Sequence, residues 1–249
     1  MSKRQRDDMM ILAHIREQHR LSLEGYRRPR MTKELQELGV NVGHRRLGRL
    51  MRDNFIKIIR TQKYKATTDS NHAFSIAPNL LDQDFSADGP NQKWAGDISY
   101  IWTNEGWLYL AVILNLYSRR VIGWAVSNRM KLDLAIRALD MAVALRQPPK
   151  GCIHHTDRGS QYCSNDYQKL LTKHGFEVSM SGKGNCYDNS MVETFFKSIK
   201  AELIWRNRWE TSRQAEGTIF QYINGFYNPR CRHSSLGGKS PLAFERKAA

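Results

Sequence analysis

No apolar run in the 249 residues approaches the ~18–20 that a membrane-spanning helix needs, so no such helix organises the chain. The start, Met1-Ser2-Lys3-Arg4-Gln5-Arg6-Asp7-Asp8, is charged, and no apolar segment long enough for a secretory leader follows it. A cytoplasmic protein is expected. The four cysteines, Cys152, Cys163, Cys186 and Cys231, are too far apart for CxxC pairs. They read as reduced thiols, not as a disulfide or zinc framework. His154-His155 near Cys163 invites a zinc assignment. The pair falls at the end of an expected strand, though, and a supporting or substrate-contact role suits it better. No heptad pattern persists, so no coiled coil is expected. Acid is also scarce: 24 Asp/Glu stand against 39 Lys/Arg, a net charge of +15. That balance suits a polyanionic partner. It is concentrated, too. Residues 1–66 hold 17 basic and 7 acidic side chains, and the other 183 hold 22 and 17. Such a concentration favours nucleic acid over an ordinary solvated face.

What is present divides into four stretches. Residues 1–60 read as helical. A polar helix over 4–20 carries Met9, Met10, Leu12, Ala13 and Ile15 as a partial stripe. Tyr26, Arg27 and Arg28 lie in a basic turn that runs from Gly25 to Arg30. Thr32 can cap a helix with Leu35 and Leu38, which Gly39 stops. A further helix over 43–54 buries Leu47, Leu50 and Met51 and displays Arg45, Arg46, Arg49 and Arg52 elsewhere. Two short helices joined by a glycine turn, the second rich in arginine, read as a helix-turn-helix that enters a DNA groove. A small helical bundle without groove contact is the plainer alternative. Residues 61–92 read as a linker, polar at first and punctuated by Pro78 and Pro90.

Residues 93–210 read as strands followed by helices. Strands are expected over 93–102, 107–117 and 121–127, close enough to form an antiparallel meander. A striped helix over 132–145 ends before Pro148-Pro149. A strand over 152–156, a helix over 165–174 and a strand over 177–180 follow. Three acids stand out on this frame. Asp97 lies in the aromatic, β-branched first strand, Asp157 where a short strand ends, and Glu193 on a later helix. There are 59 residues between the first two and 35 between the second and third. On the last helix, Val192, Phe195, Phe196, Ile199 and Leu203 form an apolar stripe, while Glu193, Lys197 and Lys200 share a face beside it. Alone, that face is an ordinary surface with a weak i,i+4 pair. With Asp97 and Asp157 it is the third part of an oxygen-donor site. Hard divalent cations take such ligands, and two of them can clamp a phosphoryl displacement. Residues 211–249 read as a helix over 212–227, then a basic, hydroxyl-rich turn with Arg230, Arg232 and His233. A packing tail is the plainer reading of that stretch.

Four ordered blocks, WAGDISYI (94–101), HHTDRGSQY (154–162), DNSMVETFFKSIK (188–200) and YNPRCRHSSLGGKSPLAFE (227–245), carry a family resemblance. The chain resembles the DDE transposases of the insertion-sequence-three family, second reading-frame product, relatives of retroviral integrases. The resemblance runs from about Gly25 to the end, and Ala95-Gly96 depart from it where bulkier residues are common. It implies an α/β fold: a ribonuclease-H-like mixed five-stranded sheet with flanking helices, behind a small all-helical helix-turn-helix domain. It implies that Asp97, Asp157 and Glu193 are catalytic and bind two Mg²⁺ or Mn²⁺ ions. It implies DNA as partner, both terminal inverted repeats and target, with at least a dimer on DNA and an upstream-frame product fused or associated. Copy-out–paste-in transposition is the implied pathway. Lys200 is implied to contact transposon-end DNA. Backbone contacts are expected at Arg158, Ser160, Gln161, Lys183 and Lys197. Two other classes remain open: a DNA-binding regulator on an inactive scaffold, and a metal-dependent nuclease that does not join strands.

Overall fold

The computed structural model describes residues 1–58, 74–182 and 186–247. The first half of the expected linker and the loop residue Lys183 lie outside the described residues.

Three helices open the chain: α1 (Lys3–Leu21), α2 (Arg28–Glu37) and α3 (His44–Asp53). Ile11 and Ile15 of α1, Met31 and Leu35 of α2, and Leu47, Leu50 and Met51 of α3 close one small core. The second helix starts earlier than Thr32. Pro29 sits in its first turn, where a missing N–H costs nothing. Thr32 is therefore no cap; its hydroxyl donates back to the Arg28 carbonyl (2.9 Å).

The sheet is built from β1 (Lys93–Thr103), β2 (Gly106–Asn115), β3 (Arg120–Ser127), β4 (Ile153–Thr156) and β5 (Glu177–Met180), in the order β3-β2-β1-β4-β5. The first three strands form the antiparallel meander, while β4 and β5 run parallel to β1. Between strands lie α4 (Leu132–Arg146), the short α5 (Ser160–Cys163), and α6 (Asn165–Lys173). After them come α7 (Ser190–Glu202), α8 (Ser212–Gln221) continued by a π-helical turn (Tyr222–Tyr227), and α9 (Pro241–Glu245).

Alternation along the strands gives the sheet two apolar faces. Trp94, Ala111, Ile113 and Ile122 meet α4 and α6 on one face. Gly123 admits α4 closely: a Cβ there would lie 2.2 Å from the Ala138 carbonyl oxygen. Ala95, Leu110, Val112 and Leu114 meet Val192, Phe195, Phe196 and Ile199 of α7, and Ile219, Ile223 and Tyr227 further on, on the other face. The described part of the stretch over 211–249 is thus packed into the core. The Glu245 carboxylate of α9 binds Ser118, Arg120 and Arg146. The second half of the expected linker is packed as well. Leu81 is buried, and the Pro78 carbonyl accepts from Met180 N at the outer edge of β5 (3.2 Å).

Candidate active site

Strand register brings the first two acids together. Gly96 of β1 pairs with Thr156, the last residue of β4, so Asp97 on β1 and Asp157 just past the end of β4 each follow that final pair. Asp97 Oδ1 accepts from Ile98 N (2.7 Å), and Asp157 Oδ1 accepts from Gly159 N (2.9 Å). Glu193 comes from α7, whose apolar stripe is buried on the face of the sheet that Ala95 also lines. The start of that helix is tied to the same spot. Asn189 Nδ2 donates to the Gly96 carbonyl (3.2 Å), one residue before Asp97. Gly96 itself is not demanded by sterics, since a Cβ would meet His154 and Thr156 at an ordinary 3.5 Å.

A buried polar layer stands behind the acids. His155 bonds Ser179 (2.8 Å) and Ser181 (3.1 Å), and Asp188 Oδ2 accepts from Gly182 N (2.7 Å). The neighbouring His154 bonds the Tyr167 hydroxyl on the other face of the sheet. Burial holds both imidazoles well below their ordinary pKa, His155 at about 4 and His154 at about 3, so both are neutral at pH 7. They serve as packed hydrogen-bonding groups.

The electrostatics single out Asp97. Burial, then the charge of Asp157, then that of Glu193 push its carboxyl well above the usual carboxylate range, against the Ile98 N–H and the Lys200 ammonium. Among the described residues no three His, Cys, Asp or Glu side chains are already gathered as a metal cage. Glu193 instead pairs with Lys197 (3.1 Å). Even so, the donor set fits a divalent cation. It consists of hard carboxylate oxygens whose mutual repulsion at Asp97 a cation would relieve.

The other expected contact residues separate into two groups. Arg27, Arg28, Arg45, Ser160, Lys197 and Arg230 are exposed. Arg46 and Arg49 both bond the Asp8 carboxylate and remain about a third exposed, at 33% and 38%. Arg158 Nε donates to the Ser181 carbonyl, and Gln161 Nε2 to that of Met130. Lys200 is buried. Its ammonium lies 5.0 Å from the Tyr100 ring centre, and it lines a cleft shared with Asp97, Glu193 and Lys197. Burial lowers its pKa, with Asp97 opposing that shift.

Three further expected contact residues turn inward. The buried Tyr26 hydroxyl donates to the Arg230 carbonyl and accepts from Arg232 N. Arg232 is held by Glu34, Glu37 and the Gly238 carbonyl, with its side chain 11% exposed. His233 Nε2 is buried, and its ring packs edge-on to Tyr227. Their partners lie inside the molecule. The Asn189 and Asp188 contacts went unforeseen in the sequence. Their only signal there is their position just ahead of the stripe.

Comparison with known proteins agrees with this frame. Residues 87–186 match an integrase core domain model, and residues 174–241 match a second model of the same description. The chain is 45% identical over 244 residues to the transposase InsF for insertion sequence IS3A of Escherichia coli (strain K12), covering 98% of this chain and 83% of that one. It is 42% identical over 246 residues to an insertion element IS600 uncharacterized 31 kDa protein of Shigella sonnei, covering 99% and 90%. In fold it is similar to the HTLV-2 integrase catalytic core domain in complex with magnesium (trimeric form). There the TM-score is 0.50 and the identity 17%, over 64% of this chain and 99% of that one.

Proposed function

The chain belongs to the IS3 family of transposases with an integrase core domain, and from that premise we propose how its parts act. Its activity is that of a transposase, a polynucleotidyl transferase on a ribonuclease-H-like fold. In our reading Asp97, Asp157 and Glu193 are the catalytic acids of strand cleavage and strand transfer. The observation that carries this is that Asp97 and Asp157 each directly follow the last register pair of β1 and β4, on the face of the sheet covered by the helix that bears Glu193.

Two Mg²⁺ or Mn²⁺ ions, when bound, supply activation of a water or DNA 3′-hydroxyl and stabilise the leaving 3′-oxygen. The integrase core it resembles in fold was solved with magnesium. Asp97 and Asp157 would hold the ions from the sheet. Glu193 would join them by leaving Lys197, an exposed pair worth only ~0–1 kcal/mol. Lys200 would meet the phosphate of the strand at the acids, and Lys197, once released, the neighbouring one. Arg158, Ser160 and Gln161 would position backbone beyond Asp157. Arg27, Arg28, Arg45, Arg46 and Arg49 would carry the helical bundle onto the terminal repeats, and Arg230 would add a contact at the C-terminal turn. Assembly as at least a dimer on DNA, association with an upstream-frame product and a cytoplasmic location belong to the same proposal. No helix among the described residues is long and apolar enough to cross a membrane.

The test is cleavage and joining of labelled oligonucleotides that carry the element's own ends, with Mg²⁺ or Mn²⁺. Glu193→Gln should lower both by on the order of a thousandfold, the several kcal/mol that metal catalysis supplies. Its DNA affinity should stay unchanged. Cleavage without joining would support the nuclease reading, and full activity in the variant would remove Glu193 from the site.

A further inference from the structure

Beyond Gly96 the two parallel strands part: β1 continues to Thr103, while β4 ends at Thr156. Past Gly96, no described strand pairs with that side of β1. A groove of about 630 Å³ adjoins the stretch from Tyr100 to Asn104, within the ~300–1,000 Å³ range of ligand sites. Sheet edges of this kind are ordinarily covered or charged. This one is instead lined with aromatic rings. Trp102 and Trp107 are a cross-strand pair near the β1–β2 turn, 57% and 48% exposed. Their rings meet edge-on at 4.9 Å, and Tyr100 meets Trp107 edge-on at 5.2 Å. Trp205 lines the same groove, 43% exposed.

Where this groove leads identifies its occupant. Lys200 and Trp205 line both the groove and the cleft that contains Asp97 and Glu193. A strand leaving the acids therefore enters it directly. Among the described residues Lys200 and Arg208 are its charged lining, and no acid lines it. The nearby Glu105 carboxylate is turned to Ser212 N (2.7 Å). Indole faces beside cations, in a protein of net charge +15, suit unpaired nucleobases on a phosphate backbone.

We propose that this groove is a single-strand site. Bases unpaired at the end of the DNA being processed would stack on Trp102, Trp107 and Trp205, and Arg208 would meet their phosphates. The proposal rests on the transposase reading of the acids and extends it to a substrate feature, a melted end.

The test uses the full chain and fluorescein-labelled duplexes of one sequence, blunt or with a single-stranded extension of about five nucleotides, the scale of a small stacking site. Wild type should bind the extended duplex about tenfold more tightly than the blunt one, as stacking of a base or two implies. The double variant Trp102→Ala/Trp107→Ala should bind both alike, at the blunt-duplex affinity of wild type. The Trp102→Phe/Trp107→Phe variant should recover most of the preference, which a fold defect would not allow. A preference that survives in the alanine variant, or that is absent from wild type, overturns the proposal. So does loss of self-association in sedimentation with the preference intact, which would give the edge to a strand of a second copy. The transposase reading is scored separately, by metal-dependent cleavage and its loss in Glu193→Gln. Absent cleavage with a preference that depends on the tryptophans would sink that reading and leave the single-strand site standing.

Discussion

Lys197 and Lys200 stand three residues apart on α7 and meet different surroundings. The first is exposed and pairs with Glu193 one turn back; the second is buried beside Asp97 and Tyr100. Helical spacing puts both on the face of Glu193, and that much is legible in the sequence. Which of them turns inward is not, because it depends on how the helix lies against β1. The same limit explains Tyr26, Arg232 and His233, whose basic neighbourhood suggested a surface. Glu34 and Glu37, which neutralise Arg232, lie about 200 positions away and leave no local trace. Glu245 is the reverse case, an acid near the chain end that looks like a solvated charge. Burial alone would raise its pKa. Hydrogen bonds from Ser118 and Arg120 and the charge of Arg146 outweigh that and hold it below the ordinary glutamate value. Its contribution is therefore present above the unfolded-state pKa and is lost as pH falls through the lower folded-state value. Glu245→Gln should cost ~2–3 kcal/mol at pH 7 by leaving two half-buried arginines unpaired. A melting temperature roughly 5–10 °C lower would register this. The deficit should shrink as pH falls below the ordinary glutamate range, where wild type loses the same charge. An unchanged melting curve at pH 7 would show that the cluster adds nothing.

At the scale of elements, hydrophobic period located nearly every strand and helix, because both sheet faces are buried and each alternation is enforced by packing. What period could not show is how one element is fastened to another. Asn189 occupies the N-cap position of α7, yet its side chain makes no capping bond. Its amide goes instead to the Gly96 carbonyl. The Asn189 side chain is thus a brace between the helix that carries Glu193 and the strand that carries Asp97. Asn189→Ala should leave that buried carbonyl unsatisfied, at ~1–3 kcal/mol. The larger effect should be on chemistry, since small misplacements of reacting groups cost up to ~100-fold. Cleavage should fall at least about tenfold with DNA affinity unchanged. Restoring the amide with Gln should not restore the rate, because the longer side chain moves the helix. A rate equal to wild type in the alanine variant would mean that the apolar stripe alone positions Glu193.

Across the whole molecule, the basic bundle and the catalytic core are joined by polar contacts. Arg232 reaches Glu34 and Glu37 of α2, the Tyr26 hydroxyl reaches the Arg230 carbonyl, and Arg206 bonds Glu24 and the Leu23 carbonyl. Each half has its own apolar core. On the proposal that the bundle reads DNA, such a joint would hold it in one attitude and yield without unfolding either part. Interfaces of this polar kind are those across which domains move. Arg232→Ala with Tyr26→Phe should therefore loosen the joint selectively. Amide exchange should quicken in 26–37 and in 228–238, while β1, β2 and α4 keep wild-type protection. The midpoint of core melting should move little. Binding to a terminal-repeat duplex should persist, because Arg27, Arg28 and Arg45 are exposed and untouched. Cleavage at the correct phosphate should fall and become less sharply placed, since the bundle would no longer fix where the acids meet the strand. Faster exchange spread evenly through the sheet would mean instead that bundle and core are one cooperative unit, and that the contacts at Arg232 are part of a single fold.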